Sequence, residues 1–146
     1  LNPSPMNAKI LSYPLEYVDY FLLNEVEASD ICGIEATKDP QALMNGLVKR
    51  FPEAKIVLTL GGDGSVVLDS TSATPIQRIA PVRVNAVDTT GCGDSFMGTV
   101  LAGLASGMAL SEAAELASYV SAYAATGYGA QASYGNAAQI REAFAK

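Results

Sequence analysis

Two short apolar runs, Lys55-Ile56-Val57-Leu58-Thr59-Leu60 and Ser65-Val66-Val67-Leu68-Asp69, are separated by Gly61-Gly62-Asp63-Gly64. Such Val-, Ile- and Leu-rich runs bounded by glycines read as strands, and so short a glycine-rich connection reads as a β-hairpin turn in which glycines supply positive φ. A third run, Tyr20-Phe21-Leu22-Leu23, is apolar at successive positions, which is the pattern of a strand buried on both faces. Residues 74–79 and 82–84 read as further strands, with Pro75 and Pro81 at sheet edges or strand ends. Helical patterns alternate with these strands. Asp39-Pro40 supplies an N-cap and N1 pair ahead of Ala42, Leu43, Leu47 and Val48, and that helix should stop before Pro52. Phe96, Val100, Leu101 and Leu104 fall at helical spacing up to Gly107. Ser111-Glu112 begins the next helix, through Leu116, Val120 and Ala124, and Asn136 with Gln139 caps a closing helix over residues 137–145. The order is α/β: a mostly parallel sheet flanked by helices, then a helical end.

The 146 residues are 49% hydrophobic and 16% charged, enough to bury one core as one globular domain. A net charge of −6 argues against nucleic acid or an anionic membrane as partner, since both require clustered Lys and Arg. The chain has no histidine, which excludes His-based triads and His-ligated metals. Cys32 and Cys92 lack metal-ligand spacing, and the pair fits reduced thiols in a cytoplasm; no signal peptide opens the chain. The uncharged stretches 95–111 and 116–140 are too rich in Gly, Ser, Thr, Gln and Tyr to prefer lipid. Within them Gly103-x-x-x-Gly107 marks close helix packing or a helix end.

The stretch that carries chemistry is Asp88-Thr89-Thr90-Gly91-Cys92-Gly93-Asp94-Ser95-Phe96. Gly91 and Gly93 let another molecule approach the backbone, and a helix starting near Asp94 aims unpaired N–H groups and a positive dipole end at it. Such a place binds anions, phosphate above all. Asp94 has a plain reading as N-cap or N1 residue of that helix. Cys92 has two readings, a thiol activated by the helix N-terminus and a buried inert residue. No Gly-Lys-Ser/Thr follows the glycines, so the turn is not a Walker A loop. Upstream, Asn24 as N-cap with Glu27 at N3 makes a near capping box, and Gly33 can end the short helix that follows.

Residues 88–94 resemble the D-T-x-G-A-G-D signature of the ribokinase-like (PfkB) carbohydrate kinases, with Cys92 where the family prefers a smaller residue. The resemblance extends from Asn2 to about Ser133, including Asn2-Pro3-Ser4-Pro5, which in the family follows a central strand. It implies the C-terminal, nucleotide-binding half of a three-layer ribokinase-like fold over residues 1–146, with the substrate and lid half lying outside this sequence. It implies an ATP-dependent transfer of phosphate to a sugar hydroxyl, with Asp94 as base and Gly91, Cys92 and Gly93 in the anion hole. Asn24 and Glu27 then organise Mg²⁺, water and phosphates, Thr59, Gly61 and Gly64 adjoin ATP, and Ser118 stands where the family often has Asn near the adenine. The segment Gly129-Ala130-Gln131-Ala132-Ser133 resembles a loop that encloses a monovalent cation such as K⁺. The implied ligands are the Asp88 carboxylate, the carbonyls of Thr90, Ala124, Gly127 and Gly129, and the Ser133 hydroxyl. A small-molecule sugar or nucleoside is the implied substrate, and a homodimer is compatible. Two other readings stay open from the residues alone: a nucleotide-binding module without catalysis, and an inactive fragment in which these motifs are only caps and turns.

Overall fold

The structure, a computed structural model, describes residues 1–145. It divides into two compact units, Leu1–Arg78 and a second beginning at Ile79.

The first unit is built on a sheet of order β1-β2-β3-β4, with β1 at Tyr20–Asn24, β2 at Lys55–Thr59, β3 at Ser65–Leu68 and β4 at Ile76–Ile79. β1 and β2 are parallel, with Phe21 opposite Ile56 and Leu23 opposite Leu58. β2 and β3 are antiparallel, with Ile56 opposite Leu68 and Leu58 opposite Val66. The α/β class is as expected; the sheet turns antiparallel at β3 because the Gly61–Asp63 turn is too short for a crossover. Those facing pairs put Phe21, Leu23, Ile56, Leu58, Val66 and Leu68 on one face. They form a core with Ile31 of α1 (Glu25–Cys32) and Leu43, Met44 and Leu47 of α2 (Pro40–Arg50). Leu22, Val57 and Val67 point the other way and are also buried, as their unbroken apolar runs require. Phe51 stacks on Phe21 at 4.4 Å between ring centroids, closing the core beneath α2. Beside β1, Leu22 donates its N–H to the Leu1 carbonyl at 3.0 Å.

The helix ends follow the side-chain chemistry. Asn24 and Glu27 form a complete capping box, Gly33 takes the left-handed conformation at φ 63°, and Asp39 accepts from the Gln41 N–H ahead of Pro40. Residues 82–84, expected as a strand, belong to no strand of the sheet. Their alternation sets which way side chains point but provides no partner edge, and Pro81 has no N–H to donate. Residues 74 and 75 belong to the turn before β4, where the Pro75 carbonyl accepts from the Asp69 N–H at 2.8 Å.

The second unit is helical: α3 (Cys92–Ala105), α4 (Leu110–Ala125) and α5 (Ala137–Ala143). α3 and α4 pack closely because the contact is made of small residues; a Cβ on Gly103 would lie 2.8 Å from the Ala113 Cβ. Gly103 thus serves packing, while Gly107, at φ 85°, ends α3. The buried face of α4 is therefore alanine-rich. Leu101 and Leu116, expected in the apolar faces, are 50% and 43% exposed. α4 starts at Leu110, one residue before the expected Ser111, because Glu112 accepts the Ala109 N–H at 2.9 Å and fixes Ala109 as the cap.

The orphaned hydroxyl of Ser65, fully buried with no hydrogen-bond partner, generates a test of the first unit. Ser65→Ala should leave the urea midpoint unchanged or raise stability by up to about 1 kcal/mol, since an unsatisfied polar group is removed. Leu58→Ala in the same sheet should cost about 2–5 kcal/mol.

Candidate functional site

In the first unit, the parallel register sets Asn24 opposite Thr59 at the C-terminal ends of β1 and β2. The Asn24 side chain accepts from the Glu27 N–H at 3.0 Å, and Glu27 Oε2 accepts from the Asn24 N–H at 2.9 Å. Glu27 is buried, so this carboxylate is held rigidly by the helix start it caps. The Thr59 hydroxyl donates to the Leu23 carbonyl at 3.4 Å, tying the two strand ends together. Gly61 and Gly64 follow, both at positive φ (53° and 88°), and Gly61 has open space where a side chain would stand.

In the second unit, Asp88 organises the turn. Its Oδ1 accepts from the Thr90 N–H and its Oδ2 from the Gly129 N–H, each at 2.9 Å, which joins the turn before α3 to the loop after α4. These bonds, the Thr90 N–H first, hold its carboxyl below the ordinary Asp range. Gly91 is the N-cap of α3, left-handed at φ 79°, and its carbonyl accepts the first helical N–H, from Ser95, at 3.0 Å. Asp94 is therefore the third residue of the helix rather than its cap. Its exposed carboxylate has no hydrogen-bond partner among the described residues, and a glycine in the left-handed conformation starts the helix without a side-chain cap.

The free donors are fewer than the sequence suggests. The Cys92 N–H donates to the Thr89 carbonyl at 3.2 Å, whereas the N–H groups of Gly93 and Asp94 open the helix toward solvent. A Cβ on Gly93 would meet nothing within 4 Å, so this end of α3 is open to a guest. The Cys92 thiol is raised above its ordinary pKa by burial and then by the Asp88 charge, contrary to an activated thiol.

The loop residues gather around Asp88. The Gly127 N–H donates to the Ala124 carbonyl at 3.3 Å, and a Cβ on Gly127 would lie 3.0 Å from the Ser133 Cβ. The Ser133 hydroxyl donates to the Ala130 carbonyl at 2.7 Å, which leaves its lone pairs available. The carboxylate, backbone carbonyls and hydroxyl expected as cation ligands are oxygens of the type that suits a monovalent cation rather than a transition metal. Ser118 is buried and donates to the Ala114 carbonyl at 3.0 Å, a bond inside its own helix.

One contact was not foreseen from the residues. Tyr134 donates its hydroxyl to the Gly91 carbonyl at 2.9 Å, across 43 positions of sequence. Burial, then the charges of Asp94 and Cys92, hold its phenol above the ordinary value, so it stays a donor. Only an aromatic residue after the glycine-rich loop hints at this contact in the sequence.

The start of α3 thus combines a glycine cap, two N–H groups without a partner and an unpaired carboxylate at its third position. The family model for pfkB family carbohydrate kinases matches residues 1–136, and the chain belongs to that family. It is 33% identical over 138 residues to ribokinase of Mus musculus, covering 91% of this chain and 42% of the mouse protein. The structure superposes on ribokinase from Giardia lamblia with a TM-score of 0.81 at 27% identity, covering 97% of this chain and 48% of the other. Ribokinase from Cryptococcus neoformans, solved with ADP, has the same fold, with a TM-score of 0.82 at 24% identity over 98% of this chain and 50% of the other. The chain spans less than half the length of the curated ribokinases it matches.

The depressed pKa of Asp88 gives stability that is present above the unfolded value of about 4 and lost as pH falls through the lower folded value. Asp88→Asn should lower the urea midpoint at pH 7, with the difference from the parent shrinking below about pH 4. Gly91→Ala should destabilise more severely, because its Cβ would lie 2.7 Å from the Tyr134 hydroxyl and 2.8 Å from the Ala130 Cβ at a left-handed φ. Thermal denaturation checks this.

Proposed function

We propose that the protein carrying this chain is an ATP-dependent phosphotransferase that moves the γ-phosphate of ATP to a hydroxyl of a sugar, of the ribokinase type. The observation that carries the reading is the start of α3, where an unpartnered Asp94 carboxylate stands beside the unpaired N–H groups of Gly93 and Asp94. The Asp94 carboxylate takes the proton of the attacking hydroxyl, a contribution of about 10²–10⁴-fold. The Gly93 and Asp94 N–H groups meet charge developing on the transferred phosphoryl oxygens, with Gly91 and Cys92 shaping the turn that aims them.

The family resemblance assigns Asn24, Glu27, Thr59, Gly61 and Gly64 to nucleotide and Mg²⁺ binding. Glu27 uses Oε2 in its cap, and Oε1 remains for a water ligand of Mg²⁺. Mg²⁺ prefers oxygen ligands and keeps several waters, so it would be held through water and the phosphate oxygens. Bound Mg²⁺ would neutralise charge on the phosphates. The oxygens of Asp88, Thr90, Ala124, Gly127, Gly129 and Ser133 would take K⁺, stiffening the loop against the turn. The Ser118 hydroxyl donates within α4 and keeps its lone pairs for the adenine side of the nucleotide.

The substrate class follows the relatives, which include proteins named ribokinase, deoxyribokinase and adenosine kinase. A nucleoside kinase of the same fold was solved with inosine. A pentose, free or within a nucleoside, is common to these names. The net charge of −6 disfavours an anionic partner such as nucleic acid. The free thiols Cys32 and Cys92 fit a reducing compartment.

Asp94→Asn in the full-length protein tests the assignment of the base. Turnover should fall by about 10²-fold or more while ATP affinity, read by calorimetry, stays within a few-fold. Loss of ATP binding with turnover retained would overturn it.

A further inference from the structure

We propose that the Tyr134 hydroxyl is a positioning group for the phosphate site, holding the peptide between Gly91 and Cys92 so that the Gly93 and Asp94 N–H groups stay aimed at the phosphoryl group. The inference rests on the kinase reading for its role in turnover, and on geometry alone for the contact.

The Gly91 carbonyl accepts two bonds, from Ser95 N–H at 3.0 Å and from Tyr134 Oη–H at 2.9 Å, which fills its two lone pairs. At the other end of the same peptide plane, the Cys92 N–H donates to the Thr89 carbonyl at 3.2 Å. The plane is thus bonded at both ends. It immediately precedes the unpaired N–H groups of Gly93 and Asp94, so its tilt sets theirs. Gly91 has a left-handed φ and no Cβ, and a backbone so free needs an outside partner to fix it.

Tyr134 is well placed for this, because its own loop is held independently. Asp88 accepts the Gly129 N–H at 2.9 Å, the Ser133 hydroxyl bonds the Ala130 carbonyl at 2.7 Å, and the Tyr134 N–H bonds the Gln131 carbonyl at 3.3 Å. The approach is tight enough that a Cβ on Gly91 would meet the Tyr134 oxygen at 2.7 Å. Donors fixed before the reaction need no reorganisation as charge develops, so a pin on their orientation acts on the chemical step more than on substrate binding.

The test is Tyr134→Phe in the full-length protein, which keeps the ring and removes the hydroxyl. Expected are a kcat lower by about 3- to 10-fold, the effect of one hydrogen bond, with KM for ATP and sugar within about two-fold of the parent. The Ser95 amide should exchange with solvent several-fold faster, because its acceptor carbonyl is no longer pinned, while Tm stays close to the parent's. An unchanged kcat would overturn the proposal, as would a rise in KM at constant kcat or a loss of activity that merely follows a falling Tm. If the parent releases no ADP with any sugar or nucleoside, the kinase reading fails and the role in turnover with it. In that event the Ser95 exchange rate still decides the contact: faster exchange in Tyr134→Phe retains the pin, and unchanged exchange overturns it.

Discussion

The Asp88 carboxylate joins two segments that regular secondary structure does not. The turn before α3 and the loop after α4 lie outside any strand or long helix, and each would be loosely held alone. One oxygen of Asp88 closes the turn through Thr90, and the other reaches Gly129, 41 positions away. With the loop so fixed, Ala130 and Tyr134 come against Gly91, and the left-handed glycine becomes the only residue that fits. The start of α3, and with it the open Gly93 and Asp94 N–H groups, is held by this carboxylate bridge together with the Val87 and Asp88 N–H bonds to the Ala125 carbonyl and the Tyr134 bond to Gly91.

The first unit relies on a different constraint, the register of a sheet buried on both faces. Pairing Phe21 with Ile56 and Leu23 with Leu58 commits one row of side chains to the α1–α2 core, and a slip of one residue would exchange the rows. The same register brings Asn24 beside Thr59 where both strands end. The reciprocal hydrogen bonds of Asn24 and Glu27 start α1, and they fix the Glu27 carboxylate in the position that the proposed water-mediated contact to a cation uses.

Features written in neighbouring residues were legible in the sequence. The capping box at Asn24 and Glu27, the Asp39-Pro40 helix start, the left-handed Gly33 and the Asn136–Gln139 cap each depend on atoms a few positions apart. The strand pair around Gly61 and Gly64 was equally plain. What the residues did not show depends on distant partners. Val82 and Val84 alternate like a strand, yet a strand exists only where another edge accepts it. Ser111 is a good cap by type, but Glu112 reaches back to Ala109 and moves the helix start. Asp94 looks like a cap until Gly91 is seen to fill that position, which leaves the carboxylate unspent. The Tyr134 contact spans 43 positions and has no local pattern to announce it.

Membership of the pfkB carbohydrate kinases and the unspent carboxylate at the start of α3 are the two observations behind the proposed phosphoryl transfer. The most direct measurement of that claim is ADP release from Mg²⁺-ATP by the full-length protein across a panel of pentoses, hexoses and nucleosides. The account predicts release that depends on one sugar or nucleoside and is negligible without it. ADP release that ignores every acceptor, or none at all despite ATP binding, would contradict it.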